Sequence, residues 1–267
     1  MYIGRFAPSP TGPMHFGSLV TAVASYLDAK HQDGLWKVRM EDLDQPRVVK
    51  HSDKSILDTL HQHGFQWDDE VIYQSHRLDI YQNCLSKLNQ QENTYFCKCS
   101  RKEIADSAMS GIDGMIYPGT CRDKKLDSKN HALRIKVEDV CVTFEDKIQG
   151  LIKQNILKNF GDFILKRSDG IYAYQLAVVI DDAIQNINTI VRGADLIDST
   201  SRQIYLQKKL SLPSINYGHI PIATFNQKKL SKENQSTPID HSNIKDNLIA
   251  CLKFLGQDYE VIKKENT

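Results

Sequence analysis

The stretch RFAPSPTGPMHFGS, residues 5–18, decides the fold of this 267-residue chain. Its first residues belong to an apolar segment that is typical of a strand, residues 2–7. The prolines and glycines that come next predict a turn ahead of a helical pattern. Such an arrangement directs free backbone N–H groups and the positive end of a helix dipole at an anion. The stretch matches neither the G-x-x-x-x-G-K-S/T loop nor the G-x-G-x-x-G turn, so we expect phosphate to be bound in another way.

Two parts of the sequence are candidates for binding phosphate. His15 precedes the predicted helix start and can hydrogen-bond phosphate oxygens, while Gly17 allows a nucleotide to approach the backbone closely. Far along the chain, residues 225–235 read FNQKKLSKENQ, and their mobile ammonium groups suit a leaving pyrophosphate. Each part alone has an ordinary interpretation, a structural turn or a solvated lysine-rich loop. Their joint occurrence favours a split nucleotide site.

The pattern around this stretch predicts an α/β fold. Residues 17–29 form a predicted helix with Leu19, Val23 and Leu27 on one apolar face. Residues 36–40 alternate like a second strand, and residues 52–63 and 76–88 are helical. Strands that alternate with helices predict a parallel sheet.

The α/β pattern is interrupted near residue 90. Residues 93–130 indicate an inserted module without a large core, and residues 131–137 and 141–144 resemble a hairpin. Strand-like segments 162–166 and 188–191, helix-like segments 174–183 and 199–210, and an amphipathic segment at 247–255 follow. We therefore expect residues 1–90 and 161–240 to be two halves of one domain, 91–160 an insertion, and 241–267 a short helical C-terminus.

The composition limits the possible partners. Lys and Arg total 34 against 33 Asp and Glu, so contact with nucleic acid requires a local basic patch. No apolar run has the length of a signal peptide or a membrane span. We therefore expect a cytoplasmic protein that does not bind a membrane. We also expect it to be a monomer.

The six cysteines fall into two groups. Cys84, Cys141 and Cys251 stand alone in apolar or helical patterns, and we expect inert core thiols there. Residues 97–99 read CKC and residues 117–121 read YPGTC, and these three thiols can converge on one metal ion. Zinc at a structural site normally takes four protein ligands, and Asp113 or His131 is the chemically simple fourth. Three reduced cysteines without metal are the alternative.

Longer motifs resemble one enzyme family. The opening stretch is similar to the HIGH signature, and KLSK at 229–232 to the KMSKS signature, of class I aminoacyl-tRNA synthetases. The wording RFAPSPTG, with MEDLDQPR at 40–47, RSDGIYAYQLAVVIDD at 167–182 and IVRGADLIDSTSRQ at 190–203, resembles the glutamyl subgroup. The resemblance implies a Rossmann-type catalytic domain, a zinc-bearing α+β insertion, ATP binding and formation of glutamyl-adenylate.

The resemblance also implies roles for individual residues. His15 and Lys232 act in catalysis, and ATP is bound by Pro8, His15, Gly17, Ser18, Lys229, Ser231 and Lys232. Glutamate is bound by Arg5, Ala7, Ser9, Glu41, Tyr174 and Arg192. Zinc is held by Cys97, Cys99, Tyr117 and Cys121. The chemistry of glutamate favours the same pocket independently, because two carboxylates and an ammonium need cations such as Arg5 and Arg192, and an anion such as Glu41.

Ordinary interpretations exist for several of these residues. Glu41 and Arg192 suit an ion pair, and Tyr174 suits core packing beside Tyr172. Asp181 and Asp182 suit an acid pair or a solvated helix end, and we assign them no role. The chemistry itself needs no general base, because the attacking carboxylate, with a pKa of about 4, is already ionised. We expect Mg²⁺ to accompany ATP without a protein cage of its own.

The acceptor is predicted from the subgroup. The chain ends 35 residues after Lys232, and YPGTC and RGADLIDST resemble glutamyl-Q tRNA(Asp) synthetases. That family activates glutamate without tRNA and transfers it to queuosine in the anticodon of tRNA(Asp), so the partner is the anticodon stem-loop. Arg101, Lys102 and Arg122 are candidate phosphate contacts. A truncated glutamyl-tRNA synthetase that charges a tRNA 3′ end, and an inactive zinc-bearing RNA-binding module, remain alternatives.

Overall fold

The computed structural model describes residues 1–112, 114–225, 228–229 and 238–260. At residues 109, 224–225 and 228–229 it describes the backbone alone. Asp113, Ser231 and Lys232, and the side chain of Lys229, therefore lie outside what is described.

The structure contains strands and helices that alternate along the chain. The strands are β1 (Ile3–Phe6), β2 (Leu35–Met40), β3 (Ile72–Tyr73), β4 (Thr94–Cys97), β5 (Met109–Gly111), β6 (Gly114–Ile116), β7 (Ala132–Ile135), β8 (Cys141–Asp146), β9 (Gly150–Asn155), β10 (Ile164–Lys166), β11 (Thr189–Gly193), β12 (Asn216–Ile220), β13 (Thr224–Phe225) and β14 (Lys228–Lys229). The helices are α1 (Phe16–His31), α2 (Ser52–Gln62), α3 (Leu78–Gln90), α4 (Arg101–Ser107), α5 (Ile156–Asn159), α6 (Tyr174–Ile184), α7 (Ile197–Lys209) and α8 (Ile244–Phe254). None of these helices is long and apolar enough to cross a membrane.

These elements form two compact units. The first unit contains residues 1–75, 187–195 and the chain from 215 onward, and the second contains residues 76–186 and 196–214. The first unit is thus assembled from three separate segments of the chain.

Parallel strands form the centre of the first unit, as predicted. β1, β2 and β3 lie side by side in that order, and β11 and β12 form another parallel pair. Asn188 links β11 to β1, because its backbone N–H donates to the carbonyl of Ile3 at 3.0 Å and its Oδ1 accepts the N–H of Ile3 at 2.9 Å. β1 and β11 therefore begin next to each other.

Helix α1 packs against β1, β2 and β11. Leu19 and Val23 are buried as predicted, but Leu27 is 43% exposed, so its assignment to the apolar face is wrong. At 3.6 residues per turn, Leu27 points about 80° away from Leu19 and leaves the buried face.

Trp36 on β2 fills the space below this helix. It is fully buried, its ring stacks on Phe65 at 5.6 Å between centroids, and Tyr26 meets its edge at 5.1 Å. The indole N–H donates to Ser25 Oγ at 3.0 Å. Burial of such a side chain stabilises the folded state by about 2–3 kcal/mol.

An antiparallel sheet organises the second unit, and it corrects one prediction. β7 pairs with β4 and β10, so residues 131–137 do not form a hairpin with residues 141–144. The hairpin is instead β8 with β9. Its turn is closed by Asp146, whose Oδ1 accepts the N–H groups of Ile148 and Gln149, and by Gly150 at a φ of +77°.

The isolated cysteines differ from one another. Cys251 is fully buried, and burial raises the pKa of its thiol to about 12, in agreement with an inert core thiol. Cys84 is half-buried, and Cys141 is exposed, so the core assignment of Cys141 is wrong. Residues alternate between the two faces of β8, and the buried neighbour Val142 places Cys141 on the outer face.

Asp181 and Asp182 on α6 are both buried, and the interpretation as a solvated helix end is wrong. The Asp181 carboxylate accepts Arg77 Nε and the hydroxyl of Tyr81, each at 2.7 Å. An ionised group in this position is stable only because cation and hydroxyl replace the water that it has lost.

Replacement of this carboxylate tests how much the second unit depends on it. Asp181→Asn keeps the side-chain shape but removes the charge opposite Arg77, and we expect the free energy of unfolding in urea to fall by about 3 kcal/mol. The control is Asp169→Asn, whose ion pair with Arg167 is partly exposed, with an expected loss below about 1 kcal/mol. Equal losses in both variants would contradict this account.

Candidate functional site

The turn after β1 leads into an anion-facing helix start. His15 is the N-cap of α1, and its Nδ1 accepts the backbone N–H of Ser18 at 3.4 Å. Its Nε2 lies 3.1 Å from Ser18 Oγ, so the proton of the neutral ring belongs on Nε2. The first turn of α1 contains no acidic residue that would oppose a bound anion.

Backbone hydrogen bonds hold the turn itself in place. The carbonyl of Pro8 accepts the N–H of Glu41 at 2.9 Å, and that of Pro10 accepts the N–H of Val49 at 2.9 Å. The N–H of Gly12, which has a φ of 140°, donates to the buried Ser52 Oγ at 3.0 Å. The turn is therefore tied to the chain that follows β2, which makes it a rigid wall for a ligand.

The described chain resumes at Pro238, which lies beside this turn. Pro238 forms an antiparallel bridge with His15, and the N–H of Ile239 donates to the carbonyl of Met14 at 3.1 Å. On the other side, β13 and β14 form a short antiparallel pair that contains Lys229. Residues 230–237, with Ser231 and Lys232, lie between these described flanks.

Three predicted glutamate ligands come from the ends of parallel strands. Arg5 lies near the end of β1, Glu41 directly after β2, and Arg192 near the end of β11. Arg5 and Arg192 are 4% and 3% exposed. Ligands of open α/β sheets bind beyond the carboxyl ends of the strands, which is where these charges lie.

Glu41 and Arg192 each contact residues that were not predicted from the sequence. Glu41 Oε1 lies 3.2 Å from Nη2 of Arg39, which is fully buried. Arg192 Nε donates to Nε2 of the buried His219 at 3.2 Å, and its guanidinium lies 5.5 Å from the ring centre of Tyr217. The sequence analysis missed Arg39, His219 and Tyr217.

The register of the strands explains these missed contacts. Arg192 on β11 lies opposite His219 on β12, and alternation along β12 brings Tyr217 to the same face. Strand β12 itself was not predicted, so the only available signal was the short apolar-polar alternation NYGHI at Asn216–Ile220.

Tyr174 belongs to the second unit, where it is the first residue of α6 and is half-buried. Tyr172 beside it is buried, and its hydroxyl donates to Gln82 Oε1 at 3.0 Å. Tyr172, rather than Tyr174, is therefore the buried core residue of this segment.

The second unit brings the clustered cysteines together. The sulfur atoms of Cys97, Cys99 and Cys121 all lie within 4.8 Å of one another. The hydroxyl oxygen of Tyr117 lies 3.3 Å from Cys97 Sγ and 3.5 Å from Cys99 Sγ, and it accepts the backbone N–H of Cys121 at 2.8 Å. Among the described residues, His131 is not part of the cysteine cluster. Its Nδ1 forms a hydrogen bond with the carbonyl oxygen of Asp127 instead.

Neighbouring groups shift the pKa values in the cluster. Burial would raise the pKa of Cys121, but hydrogen bonds from Tyr117 and the Lys98 backbone lower it to about 7. Burial raises the pKa of Cys99 to about 11. Burial and the adjacent thiols raise the pKa of the Tyr117 hydroxyl. Three sulfur atoms and one phenol oxygen thus lie together, which is a donor set that suits a soft cation.

The ring of Tyr117 is held from two sides. Arg134 on β7 lies 3.9 Å above the ring centre, and its Nη1 donates to the carbonyl of Asp162 at 2.8 Å. Tyr117 also bridges to Gly161, whose φ is +64° and where an added Cβ would lie 3.1 Å from the carbonyl of Tyr117. Only glycine suits that position, so the backbone there keeps Tyr117 at the thiols.

The whole chain can now be compared with known proteins. Residues 3–255 match the family described as "tRNA synthetases class I (E and Q), catalytic domain". The chain belongs to this family. It is a ligase of the class I synthetase type.

Individual relatives of this synthetase carry more specific names. A glutamyl-Q tRNA(Asp) synthetase of Dechloromonas aromatica is 50% identical over 260 residues, which are 96% of this chain and 86% of the relative. One of Acinetobacter baylyi is 47% identical over 257 residues, with the same two shares.

Solved structures show the same fold. A glutamate tRNA ligase from Elizabethkingia meningosepticum, crystallised in complex with its amino acid, superposes with a TM-score of 0.75 at 25% identity. The match covers 89% of this synthetase chain and 54% of the ligase, so the chain spans about half the length of that protein.

The predicted site residues of the synthetase fall into three groups. The first unit contains Arg5, Ala7, Pro8, Ser9, His15, Gly17, Ser18, Glu41 and Arg192. The second unit contains Tyr174, Cys97, Cys99, Tyr117 and Cys121. Ser231 and Lys232 lie outside the described residues, and only the backbone of Lys229 is described.

The contact between His219 and Arg192 can be tested by substitution. His219→Leu leaves the buried Nε–H of Arg192 without this acceptor, and we expect the free energy of unfolding to fall by about 1–3 kcal/mol. His219→Gln retains an acceptor oxygen and should lose less than half as much. Urea unfolding of both variants measures the difference, and a leucine variant as stable as the glutamine variant would show that the hydrogen bond has no such role.

Proposed function

We propose that this synthetase activates L-glutamate with ATP in the absence of tRNA and transfers the glutamyl group to queuosine in the anticodon of tRNA(Asp). The observation that carries the proposal is the arrangement of the first unit: an N-cap histidine at a helix start without acidic residues, together with strand ends that carry buried Arg5 and Arg192 and Glu41, whose side chain is 8% exposed. The names of the 50% and 47% identical relatives support the same reaction.

ATP binds at the N-terminus of α1 in this proposal. Pro8, Gly17 and Ser18 line the approach to the phosphates, and His15 Nε2–H donates to a phosphate oxygen in place of Ser18 Oγ. Lys229, Ser231 and Lys232 complete the site from the segment that ends at Pro238, beside His15.

Glutamate binds at the carboxyl ends of the strands. Arg5 and Arg192 bind its two carboxylates through their planar guanidinium groups, and Glu41 binds the ammonium group. Ala7 and Ser9 form the wall of the pocket from the turn after β1. Arg39 and His219 hold Glu41 and Arg192 in position before the substrate arrives.

The first step is a displacement at phosphorus. An oxygen of the substrate carboxylate attacks the α-phosphorus of ATP, the bond from that phosphorus to the bridging oxygen breaks, and pyrophosphate leaves with the electron pair. No proton moves, so the protein acts by orienting the reactants and by stabilising negative charge with His15 and Lys232. Mg²⁺ bound to ATP would add further stabilisation of this negative charge.

The second step is an acyl transfer. A nucleophilic group of the queuosine base attacks the carbonyl carbon of glutamyl-adenylate, the bond from that carbon to the phosphate oxygen breaks, AMP leaves with the electron pair, and the proton of the nucleophile passes to solvent. The cations that bound the phosphates of ATP remain beside the departing AMP phosphate.

A structural Zn²⁺ belongs to this proposal. Cys97, Cys99, Cys121 and Tyr117 would hold it, and three thiols around one phenol oxygen fit the ion, because zinc takes four ligands and favours sulfur. The ion would link β4, Tyr117 and the following turn in a module that has a small core of its own.

The zinc proposal predicts a defined metal content. The purified protein should contain one zinc per chain, and Tyr117→Phe should weaken zinc binding at least tenfold in competition with a chelator, since loss of a group at a metal site typically costs about 10–100-fold. Tyr172→Phe, a buried tyrosine of the same unit outside the cluster, is the control. A protein without zinc contradicts the site, and an unchanged affinity of Tyr117→Phe assigns the fourth ligand elsewhere.

Glutamate-dependent exchange of pyrophosphate into ATP, without tRNA, tests activation. The wild-type protein should show exchange, and His15→Ala and Lys232→Ala should each lower its rate about 10²-fold or more, with a smaller effect on the KM for glutamate. His61→Ala, at an exposed position on α2, is the matched control. Exchange that is absent from the wild type favours the RNA-binding module, and an unchanged rate in both variants removes their catalytic assignment.

Transfer of labelled glutamate to tRNA(Asp) with and without queuosine completes the same experiment. We expect label only on queuosine-containing tRNA, and we expect it to survive removal of the 3′ end. Label on tRNA that lacks queuosine, or label lost with the 3′ end, favours a truncated glutamyl-tRNA synthetase, the alternative to which the likeness with the glutamate tRNA ligase points.

A further inference from the structure

Positive charge is concentrated in one part of the chain. Residues 97–136 contain nine Lys or Arg against five Asp or Glu, whereas the remaining residues contain 25 against 28. The near-neutral total therefore conceals a basic segment in an otherwise slightly acidic chain. Such asymmetry is typical of a surface that meets a polyanion.

Part of this charge surrounds a groove in the second unit. A cavity of about 470 Å³ is bounded by Asn89 at the end of α3, by residues 94–96 on β4, and by residues 122–123, 125–126 and Lys136. We call it the basic groove, after its three cations, Arg122, Lys125 and Lys136. Asp123 is the one carboxylate among the described lining residues.

The three cations differ in how they are held. Arg122 is fixed, because its Nη2 donates to the carbonyl of Val137 at 2.8 Å and its Nη1 lies 3.4 Å from Asp162. Within the described chain, no carboxylate forms an ion pair with Lys125 or Lys136, and Lys125 is exposed. Two ammonium groups are thus available to an external anion beside one rigid guanidinium.

The floor and one wall of the groove suit a nucleic acid. Phe96, half-buried on β4, offers an aromatic face to a ribose or a base. The wall that carries Arg122 and Lys125 follows Cys121 directly, and the N–H of Lys124 donates to the carbonyl of Cys121 at 3.1 Å. The cysteine cluster therefore fixes where this wall stands.

We propose that the basic groove binds the phosphate backbone of the RNA substrate and so positions it on the enzyme. The inference rests on the proposed function for the identity of the RNA. Arg122, Lys125 and Lys136 contact phosphates without reading sequence, and Phe96 packs against one nucleotide. This surface differs from the earlier expectation, because Arg101 and Lys102 do not line the groove.

The test compares two variants that lose the same charge. Lys125→Gln/Lys136→Gln removes both mobile cations of the groove, and Lys87→Gln/Lys153→Gln removes two exposed cations of the same unit that do not line it. Binding of full-length tRNA(Asp) is followed by fluorescence anisotropy from about 50 to 200 mM salt. For the groove variant we expect a Kd about tenfold higher and a log–log salt slope lower by about 1.5, and for the control a change below twofold.

Three outcomes decide the proposal. A tenfold loss in the groove variant alone supports it. Equal losses in both variants show a general charge effect and overturn it, as does wild-type binding by the groove variant. Glutamate-dependent exchange without tRNA should be unchanged in the groove variant, which shows that it is folded. If the wild type lacks exchange, the proposed reaction fails while the binding comparison still stands.

Discussion

The paired hydrogen bonds between Ile3 and Asn188 are the constraint on which the first unit depends. They join positions 185 residues apart and start β1 and β11 side by side. Arg5 and Arg192 are carried on these strands, so two cations from distant parts of the sequence lie on strands that start side by side. Helix α1 packs on both strands, and its packing therefore fixes the position of its N-cap, His15, relative to them.

Buried charge explains why the site needs so many supporting groups. A guanidinium or carboxylate that loses water must be compensated by partners, or its burial costs several kcal/mol. Arg39 compensates Glu41, and His219 and Tyr217 face Arg192. These partners fix the side chains in advance, so less ordering remains when a substrate binds.

Local signals in the sequence predicted most of the fold and part of the site. The proline-rich turn, the helix α1 and the cysteine cluster are each encoded within a few neighbouring residues, and their positions were predicted. The exposed Leu27 shows the limit of this approach, because four-residue spacing drifts around a helix of 3.6 residues per turn. The β8–β9 hairpin was missed since its signal lies in a turn, Asp146 with Gly150, rather than in apolar alternation. His219 was beyond reach, because its partnership with Arg192 depends on the register of two strands.

The assembly of the first unit from separate segments of the chain has a consequence for folding during synthesis. Its strands include β1 from the beginning of the chain and β12 at Asn216–Ile220, whereas residues 76–186 of the second unit are continuous. In a growing polypeptide, residues 76–186 can therefore begin to fold before the later strands that pack with β1 and α1 have been synthesised. Contacts of such long sequence separation form slowly, and the apolar face of α1 is the surface that a chaperone would have to protect during synthesis.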